Sequence, residues 1–344
     1  MTTEAPGTIL PRALGTPPLS ARVRVQPEDF VVREQALVEP DGEGQHLLLY
    51  VRKRERTTAE VATALARVAG VPPQAVSWAG LKDRFAVTEQ WFSLDLAGRD
   101  VPTFEDSDDF QVLAVHRHGR KLRRGALAAN AFALVLRDLS ADPELLVERL
   151  AAVGARGVPN YFGPQRFGRG GANVARARQM FARRRRASRH ERGLLLSAAR
   201  AELFNRMLAQ RVQRGDWDQA QAGDVLQWAG SRSHFCWQGE EPERIEDALR
   251  QLELHPTGAL WGRGRNMAEG AVGELEHAVA EQDAELASGL VHAGVDMARR
   301  SLRLGVADGR AEIADDGTVT VAFTLPPGGY ATSVLRELVE ESPR

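Results

Sequence analysis

Asp83 stands in the stretch Gly80-Leu81-Lys82-Asp83-Arg84-Phe85, a carboxylate between two cations directly after the apolar run Val76-Ser77-Trp78-Ala79. The run predicts a short buried strand, and Gly80 is a residue type that permits a tight turn or a close backbone approach. Asp83 then falls at a strand end, where scaffolds present reactive side chains. Flanking Lys82 and Arg84 favour its ionised form, which suits a nucleophile or base better than a proton donor. The same triplet also reads as a solvated charge cluster in a turn, and local pattern alone leaves both readings open.

Cations gather elsewhere too. His118-Gly119-Arg120-Lys121-Leu122-Arg123-Arg124-Gly125 is a basic loop that could neutralise phosphates or serve as a solvated connection. Residues Gly157 to Gly171 mix glycine and aromatics with Arg166 and Arg169, and an uninterrupted arginine run follows at 183–186. Stacking surfaces beside phosphate-neutralising cations are the two components of single-stranded RNA binding. The formal net charge of −1 over 344 residues conceals this unevenness, so a globally neutral chain can hold a polyanion locally.

Composition removes several other classes. The lone Cys236 excludes an internal disulfide and any multi-cysteine metal site. His116 and His118 share one strand face, but no further ligands accompany them; they read as surface histidines and no metal is predicted. No apolar run approaches the ~20 residues of a membrane span, and the N-terminus lacks a charged start followed by an apolar core. A cytoplasmic protein with no membrane partner is expected.

The elements that must position Asp83 alternate between strands and helices. Residues 21–34 predict a strand, a break at Pro27 and a second strand from Phe30; Asp41-Gly42-Glu43-Gly44 signals a turn before a strand at His46 to Lys53. Thr57 or Thr58 caps a helix with Val61, Leu65 and Val68 at helical spacing. Strands follow at 89–96, 111–118 and 130–139, then a helix at 143–153. A long helix is expected around 194–212. The stretch 215–300 reads as mostly helical, broken at 223–228 and 255–262; strands return at 302–304 and 318–323, and a final helix is expected at 334–341. An α/β (α+β) chain results, in which a mixed-sheet domain encloses a largely helical α/β insertion. The expected boundaries are a mobile lead-in at 1–20, one domain from 21–156 with 304–344, and an inserted domain at 157–303.

In order, these pieces resemble the TruD-type pseudouridine synthases of transfer RNA. The matching segments are Pro27-Glu28-Asp29-Phe30-Val31-Val32, then Ala79 to Arg84 with Ala86 to Trp91. They continue with Lys121-Leu122-Arg123, Gly125, Asn130, Phe132, Gly157 to Gly163, Gln165 to Gly168, Ala331 to Val334 and Arg336 to Leu338. Their compatible spacing over roughly 18–340 makes chance a poor explanation. The resemblance implies isomerisation of uridine 13 in certain transfer RNAs, with neither metal nor organic cofactor. It carries Asp83 onto the family's catalytic aspartate, Phe30, Asn130 and Tyr330 onto nucleotide-contacting positions, and Arg24 onto a basic position near the aspartate. Tyr330 stands where phenylalanine is usual and Arg24 where lysine is common; Gln45 and Phe85 replace a frequent glutamate and histidine.

Making pseudouridine breaks the N1–C1′ bond, turns the base and rejoins it through C5. A carboxylate beside the sugar can add to C1′ or take a sugar proton to leave a glycal-type intermediate. The base must leave its stack, so an aromatic platform is expected, with Phe30 and Tyr330 as candidates and Phe132 as core. Asn130 can donate and accept at a uracil edge or a ribose hydroxyl. Arg24 is the expected tuner of Asp83, while Lys82 and Arg84 face solvent or phosphate. With those two, Arg120, Lys121, Arg123, Arg124, Arg166 and Arg169 form the expected RNA-contact set. One complete site on one chain favours a monomer. The competing class is an RNA-binding or transfer-RNA-folding protein that keeps the fold without catalysis.

Overall fold

The computed structural model describes residues 10–37, 39–107, 110–183 and 187–342. It divides into two compact units, one of Pro17–Gly154, Val306–Ala331 and Leu338–Arg344, the other of Met1–Thr16, Ala155–Gly305 and Thr332–Glu337.

The unit carrying Asp83 begins with β1 (Ser20–Val23), β2 (Phe30–Ala36), β3 (His46–Arg54), α1 (Thr58–Val68), β4 (Val76–Trp78), β5 (Val87–Asp95), β6 (Phe110–His118), β7 (Leu127–Arg137) and α2 (Pro143–Arg156). Alternation in β3 turns Leu47, Leu49 and Val51 toward one face, where Val61, Leu65 and Ala66 of α1 pack with Phe92 and Leu94 of β5. Thr57, not Thr58, caps α1: its hydroxyl accepts from the Glu60 N–H at 3.2 Å while the Glu60 carboxylate accepts from the Thr57 N–H at 2.7 Å. Gly44 is needed at the 41–44 turn, because at φ 107° a Cβ there would lie 2.6 Å from Gly119 Cα and His118 O. His118 is not a surface histidine: it is buried, with Nδ1 3.0 Å from Asp41 Oδ2.

The second unit contains β8 (Val158–Pro159), α3 (Pro164–Phe167), α4 (Ala172–Arg183), α5 (Arg189–Arg214), β9 (Val225–Trp228), β10 (His234–Cys236), α6 (Pro242–Arg250), β11 (Leu254–Leu260), α7 (Gly270–Gln282), α8 (Ala284–His292), β12 (Ala298–Ser301) and β13 (Arg303–Leu304). The interruptions expected in a helical stretch are β9 and β11 of a sheet ordered β10-β9-β11-β12. Leu203, Phe204, Met207 and Leu208 of α5 join Val279, Leu286 and Leu290 of α7 and α8 in its core. Of the 183–186 run, Arg183 ends α4 and the rest lies outside the described residues.

The chain then returns to the first unit through β14 (Ala307–Ile313) and β15 (Val319–Leu325), followed by α9 (Ala331–Leu338) and β16 (Glu340–Glu341). The expected helix at 334–341 ends earlier because Glu340 and Ser342 give their N–H groups to Leu19 and Ala21 on the edge of β1. β14 escapes a reading of the sequence because its alternating nonpolar positions are the small Ala307, Gly309 and Ala311, which build no apolar stripe, and the strand is largely exposed. The sheet runs β14-β15-β7-β2-β5-β3-β6, with β2 and β5 parallel and its other neighbours along that path antiparallel. A mixed-sheet α/β architecture is therefore observed as expected.

Of the expected mobile lead-in, residues 1–9 lie outside the described residues. Leu14 gives its N–H to the Glu337 carboxylate at 3.1 Å, and Leu10 O accepts from Arg336 at 2.6 Å. Among the described residues no helix is long and apolar enough to cross a membrane, and no three ligating side chains cluster as a metal site.

Candidate active site

The 79–86 loop joins β4 to β5, and Asp83 lies in its middle with its side chain 59% exposed. Much of the main chain that leads to that carboxylate is tied down. Gly80 O accepts from Gln90 Nε2 at 3.2 Å, and the Thr58 hydroxyl gives its hydrogen to Gln90 Oε1 while accepting the Lys82 N–H. Ala79 O accepts from the Gly125 N–H at 2.8 Å, which fastens the basic loop to the start of the Asp83 loop. Gly80 itself is not demanded by geometry: its φ is not left-handed and a Cβ would meet nothing closer than Lys82 Nζ at 3.7 Å.

Lys82, expected to face solvent or phosphate, points inward. Its side chain is 6% exposed and its ammonium pairs with the buried Glu34 carboxylate, which also accepts the Trp91 N–H. Burying Glu34 without a cation would be costly, so Lys82 completes the floor of the loop. Arg84 does remain exposed, with Nε donating to Glu55 O at 3.3 Å.

Arg24 reaches Asp83 across a built kink. β1 and β2 both pair with β7, and between them Arg24 takes φ 55° and Pro27–Asp29 form one 3-10 turn. The buried Asp29 carboxylate accepts the Val25 and Gln26 N–H groups and a two-pronged contact from Arg137. The kink leaves Arg24 Nη2 3.5 Å from Asp83 Oδ2 and its guanidinium 3.9 Å above the Phe30 ring. Phe30 is only 2% exposed, edge-on to Phe132 at 6.1 Å, which stacks on Phe323 at 5.4 Å. Phe132 is core; Phe30 is covered, and a base reaches its ring only if the Arg24 guanidinium swings away.

Asn130, opposite Glu34 on β2 and Leu325 on β15, has a buried Oδ1 without a hydrogen bond among the described residues. A buried acceptor of this kind calls for a donor, from solvent or from a ligand. Tyr330, half-buried, lies in the segment between β15 and α9 that follows Leu325. Arg24 is thus in contact with both Phe30 and Asp83, while Asn130 lies on β7 and Tyr330 in the segment after β15 of the same unit.

Arg120, Lys121, Arg123 and Arg124 are exposed around the buried Leu122, whose N–H is held by the Ser93 hydroxyl at 2.9 Å. None of these four side chains has a hydrogen bond or ion pair with a described residue. Arg166 and Arg169 belong to the other unit; Arg169 is exposed, whereas Arg166 donates to Ser197 and lies 5.4 Å from the Phe162 ring.

Sequence reasoning misses Lys53, whose ammonium donates to Asp83 O at 2.7 Å. The signal is present: Lys53 follows Leu49 and Val51 at period two on the inward face of β3. It also misses the buried Glu89, which collects Arg33, Arg52 and the Tyr50 hydroxyl. Burial beside Glu89 pushes the Tyr50 phenol up.

The family model described as "tRNA pseudouridine synthase D (TruD)" matches residues 9–177 and 182–338. The chain is 47% identical over 338 residues to a tRNA pseudouridine synthase D of Methylococcus capsulatus, covering 97% of this chain and 95% of that protein. It is 46% identical over 336 residues to one of Pseudomonas putida strain W619, with the same coverage of 97% and 95%. The solved structure of a putative tRNA pseudouridine synthase D from Methanosarcina mazei superposes with a TM-score of 0.74 over 95% of both chains at 21% identity, a likeness of fold.

Proposed function

The chain belongs to the tRNA pseudouridine synthase D family and isomerises uridine to pseudouridine in transfer RNA, and from that premise we propose that Asp83 carries the reaction, at uridine 13. The supporting observation is the contrast within one loop: the surrounding main chain and Lys82 are fastened, while the Asp83 carboxylate stands exposed beside Arg24.

In this reading the flipped nucleotide brings C1′ to Asp83. The carboxylate adds to C1′ or removes a sugar proton, and the electrons of the N1–C1′ bond leave with the base. The base turns and C5 bonds to C1′, either as the Asp83–C1′ bond breaks and returns its electrons to the carboxylate or as Asp83 gives the proton back to the sugar. C5 then gives up its proton and N1 ends protonated, so the product is an isomer of the substrate and the carboxylate is regenerated. Arg24 orients the carboxylate at 3.5 Å and its guanidinium offers a flat cationic surface to the base. Asn130 Oδ1 accepts the uracil N3–H or a ribose hydroxyl, satisfying the buried acceptor. Tyr330 supplies an aromatic ring, while Phe30 backs the Arg24 guanidinium from beneath. In the unit that carries Asp83, Arg84, Arg120, Lys121, Arg123 and Arg124 receive phosphates and Lys82 acts through Glu34; in the other unit Arg166 and Arg169 take the same kind of contact.

The test compares wild type with Asp83→Asn on a transfer RNA transcript. Nucleosides are separated by chromatography before mass detection, since the product has the substrate's mass, and carbodiimide-dependent primer extension locates the site. Pseudouridine at nucleotide 13 with wild type and none with Asp83→Asn is expected. Equal formation by both excludes Asp83 as the reacting group, and a stop elsewhere excludes position 13.

A further inference from the structure

We propose that Lys53 is a positioning residue for this isomerisation: its ammonium, sealed under the 79–86 loop, grips the main-chain carbonyl of Asp83 and fixes where the carboxylate meets the sugar. The inference rests on the assignment of Asp83 above. Lys53 is 1% exposed, and among the described residues its only hydrogen bond is the one it donates to Asp83 O at 2.7 Å.

A core lysine in a strand is an expensive choice. Its neighbours at period two are Leu49 and Val51, and an apolar residue would complete that stripe without burying an ammonium that satisfies one of three donors. The groups around it give little back. Thr88 of β5 and Phe110 of β6 stand opposite it in register, and neither titrates; the Thr88 hydroxyl is itself buried without a partner among the described residues. Asp83 and Lys82 face it from the loop with opposite signs, and Glu60 faces it from α1. Removing this side chain would release the carbonyl of Asp83 and no other hydrogen-bond acceptor among the described residues.

Burial pushes the Lys53 ammonium down from 10.5 to about 8, against the pull of the Asp83 carboxylate. Between those values the unfolded chain holds a proton that the folded chain lacks, so folding stability rises with pH there and the buried charge weakens the fold at neutral pH. A lysine retained for structure and a lysine retained for position therefore differ in the sign of what its removal does to the melting temperature.

The experiment measures single-turnover and steady-state rates on transfer RNA at constant ionic strength from pH 6 to 9.5, with melting temperatures, for full-length wild type, Lys53→Met and Lys53→Arg. Wild-type turnover is expected to fall as pH rises through about 8. Lys53→Met should lose on the order of 10- to 100-fold in kcat with KM within about twofold, keep or raise Tm, and lack the alkaline fall. Lys53→Arg should retain more rate than Lys53→Met and move the fall to higher pH. A Lys53→Met enzyme at wild-type rate, a wild-type profile flat across this range, or a rate loss matched by a lower Tm with the alkaline fall intact overturns the proposal. If Lys53→Met does not fold, the wild-type and Lys53→Arg profiles decide alone. Asp83→Asn in the same assay separates the two readings: its activity would remove the catalytic assignment, whereas its inactivity beside a fully active Lys53→Met removes only the role of Lys53.

Discussion

Arg24 bears on the proposed chemistry through a single 3.5 Å approach to Asp83 and a 3.9 Å stack on Phe30. Because the carboxylate is largely solvated, the ion pair adds little to stability; its value lies in orientation. Arg24→Ala should leave Tm nearly unchanged and reduce kcat/KM roughly tenfold, about 1.4 kcal/mol of transition-state stabilisation. Arg24→Lys should recover part of the activity, since a point charge replaces the flat fork. Asn130 presents a different case, an acceptor buried without a partner. Asn130→Ala removes a group whose Oδ1 has no hydrogen bond to a described residue, so stability should hold while kcat/KM falls on the order of 10- to 100-fold. A variant that melts markedly earlier would show Asn130 to be structural instead.

The kink between β1 and β2 is the element that delivers Arg24, and Asp29 is its keystone. Burial alone would push the Asp29 carboxyl up, but hydrogen bonds from Arg137 and from the Gln26 and Val25 N–H groups outweigh it and hold it below its ordinary value. A depressed carboxyl contributes stability above its unfolded value of about 3.9 that is lost as pH falls through the folded value. Asp29→Ala should therefore cost roughly 3 kcal/mol at pH 7, and the denaturation curves of variant and wild type should draw together below about pH 4. A constant gap down to the acid limit would contradict this account. At the start of α1, Thr57→Ala should cost about 1 kcal/mol in denaturant melts, through loss of the reciprocal Thr57–Glu60 cap.

Across the whole molecule, a formal charge of −1 coexists with an exposed cationic loop whose Arg120, Lys121, Arg123 and Arg124 side chains have no acidic partners among the described residues. Its shape is held by Gly125 on Ala79, Leu122 on Ser93 and the Gly44–Gly119 approach, so its charges can change without unfolding it. Replacing Arg120, Lys121, Arg123 and Arg124 with serine should weaken transfer RNA binding and flatten log K against log salt by roughly 0.7–0.9 for each phosphate no longer neutralised. An unaltered slope would take these residues out of the interface.

The amino-acid sequence by itself determined the strands around Pro27, a helix capped by Thr57 or Thr58, the placement of Asp83 after a short strand and the mixed α/β class, because each follows from periodicity or chain punctuation within a few residues. The structure chose Thr57 and set Asp83 in the middle of the 79–86 loop rather than at the strand end. Its motifs, spread along the chain, also sufficed for the family. Tertiary structure alone decided that Lys82 turns inward to Glu34, 48 residues away, and that Lys53 meets Asp83 O, 30 residues away. It likewise decided that residues 340–341 leave the helix for β1. The reason is common to all three: a charged side chain or a free N–H takes its meaning from a partner supplied by strand order, and the order β7-β2-β5-β3 is a long-range property that no local pattern encodes.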